Sequence, residues 1–140
     1  MTQIDIDDLF LGTWQLQPQQ SAYEFGPSPA EGLYRISTDG QQYLFELEWK
    51  TAEGQQFETS FSGVPDGRQY PYENPQIADA LSLTRVDEQT LDSASYKGGK
   101  RIAHARRELL DNSRTMRVTQ SGQTPDGVTY SNVSYYNKLD

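Results

Sequence analysis

The chain has 140 residues, a formal net charge of −8, 34% hydrophobic residues and a mean hydropathy of −0.81. That length suits one domain spanning residues 1–140. The absence of cysteine excludes disulfides, thiolate catalysis, zinc ribbons and iron–sulfur clusters. So low an apolar fraction points to a thin core, yet 9 Tyr, 5 Phe and 2 Trp are more aromatic residues than a disordered chain carries. No run approaches the ~20 apolar residues of a membrane-spanning helix. The acidic start, MTQIDIDDLFLGTW, lacks the basic region of a signal peptide. A cytoplasmic protein is expected, or a secreted one whose signal has been trimmed.

Charge is spread unevenly. Met1 to Ser60 carries ten acids and two bases, whereas Lys97 to Asp140 carries eight bases and four acids. The acidic whole argues against nucleic-acid binding, which needs a basic field to displace counterions. The basic stretch of Lys97, Lys100, Arg101, Arg106, Arg107, Arg114 and Arg117 reads as a solvated sheet face or as a site for an anionic ligand head.

In chain order, residues 4–11 suit a single helical turn, with Asp5 or Asp7 near its start favoured by the helix dipole. A first strand follows at 11–17. Pro18 to Glu31 contains Pro18, Pro27 and Pro29 with Tyr23 and Phe25, and reads as a loop or lid too proline-rich for a long helix. Further strands are expected at 32–38, 41–50, 55–62, 67–72, 80–86, 90–97, 100–110, 114–121 and 128–138, with an irregular stretch at 71–75. Turn signals punctuate them: Asp39-Gly40, Glu53-Gly54, Pro65-Asp66-Gly67, Gly98-Gly99 and Pro125-Asp126-Gly127.

Alternation is clearest early. Tyr43, Phe45, Leu47 and Trp49 share one face, and Phe57, Thr59 and Phe61 repeat the pattern. Leu81, Leu83 and Arg85 share a face in the sixth strand. In 100–110, Ile102, His104 and Arg106 oppose Ala103, Ala105, Arg107 and Leu109, and alternation alone does not say which face is inside. The last strand sets Val128, Tyr130, Asn132, Ser134 and Tyr136 against Thr129, Ser131, Val133 and Tyr135, so both faces are half polar. A packed sandwich needs one plainly apolar face. A barrel around a wet cavity tolerates polar residues inside. The expected fold is all-β: a single antiparallel up-and-down barrel of about 8–10 strands, with a short N-terminal helical turn.

An apolar turn followed by Gly12-Thr13-Trp14 resembles the G-x-W start of the calycins, the lipocalins and fatty-acid-binding proteins. That resemblance implies a Trp packed against a short N-terminal turn at the barrel base. The physics agrees: Gly12 permits close backbone approach, and Trp14 supplies a large apolar plug. More narrowly, the chain resembles small bacterial lipocalin-like domains. The likeness is carried by Gly12-Thr13-Trp14-Gln15-Leu16, Ser82-Leu83-Thr84-Arg85-Val86-Asp87-Glu88-Gln89-Thr90 and Gly98-Gly99-Lys100. Thr115-Met116-Arg117-Val118-Thr119 and Asp126-Gly127 leading to Tyr135-Tyr136-Asn137-Lys138 complete it. The T-D-Y of many lipocalins is missing. The final strand reads Ser131-Asn132-Val133-Ser134-Tyr135, without the Arg-x-Tyr pair that grips carboxylates in fatty-acid-binding proteins. The resemblance therefore implies a barrel and a pocket, but not a fatty acid.

Catalytic patterns are weak. His104 is the single histidine and has no G-x-S-x-G partner motif. Its plain reading is a structural or exposed strand histidine. The sharper ones are a polar cavity residue, or a haem ligand as in nitrobindin-like relatives of this fold. One histidine does not define a metal site. Asp5, Asp7 and Asp8 lack the glycine and distal glutamate of a calcium loop. No phosphate loop occurs, and Glu46 and Glu48 sit on a solvated face.

Tyr43, Phe45, Trp49, Phe57 and Phe61 form an aromatic stripe that is either core or the wall of an apolar pocket. Arg85 and Arg106 are expected to face inward, where an unpaired charge is costly. Their partner is an internal carboxylate such as Glu108, which is favoured, or a ligand carboxylate. The expectation is a non-enzymatic barrel that binds a small hydrophobic or amphiphilic molecule without metal or cofactor. The binding residues would be Tyr43, Phe45, Trp49, Phe57, Phe61, Arg85, His104, Arg106 and Tyr130, with Gly12 and Trp14 building the base. The alternative is a filled barrel acting as a structural or interaction module, such as a homodimer through Tyr130, Tyr135 and Tyr136.

Overall fold

Side chains that alternate between apolar and polar, broken by glycine turns, build this chain as a series of antiparallel strands. The computed structural model describes residues 3–26, 28–72 and 78–140. Its strands are β1 (Gly12–Leu16), β2 (Ala22–Tyr23), β3 (Glu31–Thr38), β4 (Tyr43–Lys50), β5 (Gln56–Gly63) and β6 (Asp66–Pro71). They continue with β7 (Ala80–Asp87), β8 (Thr90–Lys97), β9 (Lys100–Leu110), β10 (Thr115–Gln123) and β11 (Thr129–Lys138). The ten expected strands are all present, and the two-residue β2 is additional. The irregular stretch expected at 71–75 falls mostly on residues 73–77, outside the described residues.

The strands form one sheet in the order β5-β4-β3-β1-β11-β10-β9-β8-β7-β6. From β3 to β5 and from β6 to β11 each strand pairs with the next in sequence, and β1 pairs with both β3 and β11, which joins the two runs. The sheet's two edges, β5 and β6, flank a seam, and the result is a nearly closed up-and-down barrel. After β1, a 3-10 turn at Pro18–Gln20 bulges outward, and β2 then resumes pairing with β11 through Tyr23 and Asn132.

That 3-10 turn is the helical turn of the N-terminal region, and it lies after the first strand. Residues 5–11 instead form two successive turns, with Asp8 N–H donating to Asp5 O (3.0 Å) and Leu11 N–H to Asp8 O (3.1 Å). The aspartates themselves are the reason. Asp5 Oδ1 accepts from the Asp7 amide and Asp8 Oδ1 from the Phe10 amide, each at 2.9 Å. Such local bonds compete with helical ones.

The base of the barrel is solid. Trp14 is fully buried, and its Nε1 donates to Phe10 O at 3.0 Å. Gly12 sits at φ +136, and a Cβ there would lie 2.7 Å from Asp140 Oδ1. The core cluster includes Ile4, Phe10, Trp14, Ile36, Tyr43, Phe45, Leu83, Leu91, Leu109 and Met116. Most of these lie near the N-terminal segment and the hairpins at residues 39–42, 88–89 and 111–114. No helix among the described residues is long and apolar enough to cross a membrane.

The seam narrows at the base, where Gly63 lies against Leu83. A Cβ on Gly63 would come within 2.6 Å of Leu83 Cδ1, and Leu83 is itself buried. Overpacking a filled core costs about 1–3 kcal/mol. Gly63→Val is therefore expected to lower unfolding stability by about that amount in chemical denaturation, while far-ultraviolet circular dichroism stays β-rich.

Candidate functional site

Above the solid base the barrel is hollow. A cavity of about 580 Å³ occupies the half facing the 51–55, 98–99 and 124–128 turns. Its floor holds Arg107, Tyr34, Tyr136 and Val118. One wall carries Leu47, Trp49, Phe57, Thr59 and Phe61 from β4 and β5. The facing wall carries Ser93, Ser95, Ala103 and Ala105 from β8 and β9, with Gln120, Tyr130 and Ser134 beyond them.

Arg107 is the central group. It is only 3% exposed. Its Nε donates to the Tyr34 hydroxyl at 2.8 Å, and its Nη1 to Ser93 Oγ at 3.1 Å. The guanidinium carbon sits 4.8 Å from the ring centre of Phe45 and 5.9 Å from those of Phe61 and Tyr34. Among the described residues, no carboxylate lies within ion-pair distance of it. The cation is thus supported by two hydroxyls and three ring faces at the border of the cavity. Burial, together with neighbouring Tyr34 and Tyr23, pushes the Tyr136 phenol well above its ordinary range. The tyrosine is thus held as a neutral hydrogen-bonding group.

The mouth is partly covered by the segment after β2. Asn132 Oδ1 accepts from the amides of Glu24 (2.8 Å) and Phe25 (3.1 Å), and its Nδ2 donates to Phe25 O at 2.9 Å. One buried side chain thereby pins this segment. The Phe25 ring then packs 5.1 Å from Tyr130, and the Tyr23 hydroxyl lies 3.2 Å from Ser134 Oγ. Of the proline-rich stretch expected to be a loop or lid, Tyr23, Phe25, Gly26 and Pro29 line the cavity, and residue 27 lies outside the described residues.

The expected site residues separate into three groups. Trp49, Phe57, Phe61 and Tyr130 line the cavity. Tyr43 and Phe45 lie beneath it in the core. His104 borders the cavity, but its Nε2 lies 3.5 Å from Asp92 Oδ2 on the outer face of the sheet.

The two arginines need correction. Arg106 is exposed and makes a bidentate pair with Asp92, both contacts 2.8 Å. It points outward because its strand face opposes the buried Arg107 and Leu109. Burial raises the Asp92 carboxyl, but Arg106 and His104 outweigh it and hold it below the usual range. Arg85 does turn inward, though at the base, where it pairs with Asp8 and hydrogen-bonds the Tyr43 hydroxyl. Its ion partner is Asp8, not Glu108, which instead accepts from Arg117. Burial and the Asp8 hydrogen bond push the Tyr43 phenol strongly upward.

Sequence reasoning placed Arg107 in the basic stretch without choosing it. The available signal was its company: Ala103, Ala105 and Leu109 make its face the more apolar one. The tyrosine-rich last strand is also divided, since Tyr130 and Tyr136 line the cavity.

No protein-family model and no curated protein matches the sequence. Solved structures do resemble it in fold. Lipid binding protein 8 of Caenorhabditis elegans shares 13% identity, with 95% of this chain and 97% of that one covered and a TM-score of 0.62. Zebrafish ileal bile acid-binding protein, complexed with cholic acid, shares 11%, with 94% and 99% covered and a TM-score of 0.55. The redesigned β-barrel mFAP1, bound to DFHBI, shares 13%, with 93% and 95% covered and a TM-score of 0.54. The fold is a calycin-like β-barrel.

The two displaced arginines make opposite predictions. Arg85→Met strands the largely buried Asp8 carboxylate and is expected to cost about 1–3 kcal/mol in denaturant melts. Arg106→Gln removes a surface pair and is expected to cost no more than about 1 kcal/mol.

Proposed function

We propose that the barrel binds a small amphiphile whose anionic head meets Arg107 while its apolar body lies against Trp49, Phe57, Phe61 and Tyr130. The observation that carries this reading is the buried guanidinium at the floor of a 580 Å³ cavity. A cation stripped of water without a carboxylate partner is destabilising, and a bound anion would offset that cost. The cavity size is typical of small-molecule sites, which run from ~300 to ~1,000 Å³. The similar solved structures support the reading, since they include a lipid binding protein and a cholic acid complex. The protein acts here as a carrier or sensor, with binding itself as its activity.

The test is titration with 8-anilinonaphthalene-1-sulfonate, followed by its fluorescence. Losing a buried charge contact typically costs ~2–5 kcal/mol, so Arg107→Met is expected to weaken binding about 30-fold or more. Phe57→Ala is expected to weaken it several-fold. Arg107→Met that stays folded by thermal melting yet binds the dye as tightly as the parent would overturn the proposal.

A further inference from the structure

The two facing walls of the cavity offer a ligand different shapes. On β4 and β5 the wall is made of rings in near-parallel pairs. Trp49 and Phe57 stack at 5.5 Å and 21°, and Phe61, below the Leu47–Thr59 pair, stacks on the core residue Phe45 at 4.6 Å and 20°. Paired rings have few rotatable bonds and hold their shape. On β8 and β9 the wall is made of Ser93, Ser95, Ala103 and Ala105, with Ser93 opposite Ala105 and Ser95 opposite Ala103. That these walls oppose each other follows from Arg107, which projects from β9 to Tyr34 on β3 and the rings of Phe45 and Phe61.

Small residues facing fixed rings leave a slot. It has one ring-bearing side, a cation at its floor, and Ser95 and Gln120 among its lining residues. Two terms then discriminate between ligands. A flexible acyl chain loses rotamer freedom along its length when confined, whereas a rigid ring system is already ordered. An acyl chain also gives the half-buried Ser95 nothing to bond, so its hydroxyl loses water without replacement, and sites built with polar groups reject ligands that leave them unpaired.

We infer that the cavity selects a rigid, ring-based carboxylate carrying carbonyl or hydroxyl groups, over a linear acyl carboxylate with the same number of carbons. This rests on the proposal that Arg107 receives the anion, and adds the shape and edge chemistry of the rest of the ligand.

The experiment compares anthraquinone-2-carboxylate with pentadecanoate, which have equal carbon counts, by calorimetry on the parent protein. Both are also tested for displacement of 8-anilinonaphthalene-1-sulfonate. Anthraquinone-2-carboxylate is expected to bind at least about tenfold tighter, a difference of ~1.4 kcal/mol. Ala105→Val, which narrows the slot, is expected to remove most of that preference. The parent comparison does not depend on that variant folding. Pentadecanoate binding as tightly as the ring compound, or tighter, overturns this inference and leaves the anionic-amphiphile reading standing. If neither compound binds while the dye still requires Arg107, the inference alone falls. If neither binds and the dye is indifferent to Arg107→Met, both fall.

Discussion

A guanidinium held almost out of water organises this barrel. Arg107 sits where the packed base ends and the cavity begins, and its neighbours follow from its needs. Tyr34 and Ser93 take two of its N–H groups, and Phe45, Phe61 and Tyr34 turn their rings toward it. Such contacts soften the desolvation of a cation without neutralising it. The small side chains of Ala105 and Ser93, paired across β8 and β9, leave open space above the charge.

The hollow upper half is made possible by a base that carries the packing. Both chain ends meet there. The Thr13 amide donates to Asp140 Oδ1 at 3.1 Å, and Arg114 Nη1 donates to Asp140 O at 2.9 Å. Trp14 fills the floor, with Lys138 Nζ 5.5 Å from its ring centre. Arg85, Asp8 and Tyr43 then lock the N-terminal turns onto the sheet. Because first and last strands pair, this closure joins distant parts of the chain, while the other long strands pair locally through hairpins. A barrel stabilised from one end can leave its other end unfilled.

Strand positions were legible because alternation and turn chemistry are local. The stripe of Tyr43, Phe45, Leu47 and Trp49 faces inward as its period requires. Harder cases were those in which local signals compete. Asp5 or Asp7 favours a helix start, yet the side chains of Asp5 and Asp8 bond nearby amides and produce turns. The β9–β10 turn carries Asp111, Asn112 and Ser113 at φ 50, 56 and 64, with no glycine to mark it. Asn and Asp enter that region more readily than other non-glycine residues, so the signal was present but faint.

The sequence by itself determined the ten longer strands and the antiparallel meander, because each depends on neighbouring residues or short spacings. It also showed an apolar early half and a polar, basic late half. Only the tertiary structure decided what that asymmetry meant. It runs from wall to wall, as composition suggested, but also from base to mouth, with packing below and space above. Two adjacent arginines, Arg106 and Arg107, differ in sequence by one position and in environment by the thickness of the sheet. A strand whose two faces are both mixed carries no local mark of its inside. The choice was made by Tyr34, Phe45 and Phe61 on the far wall, which only closure of the barrel brings against Arg107.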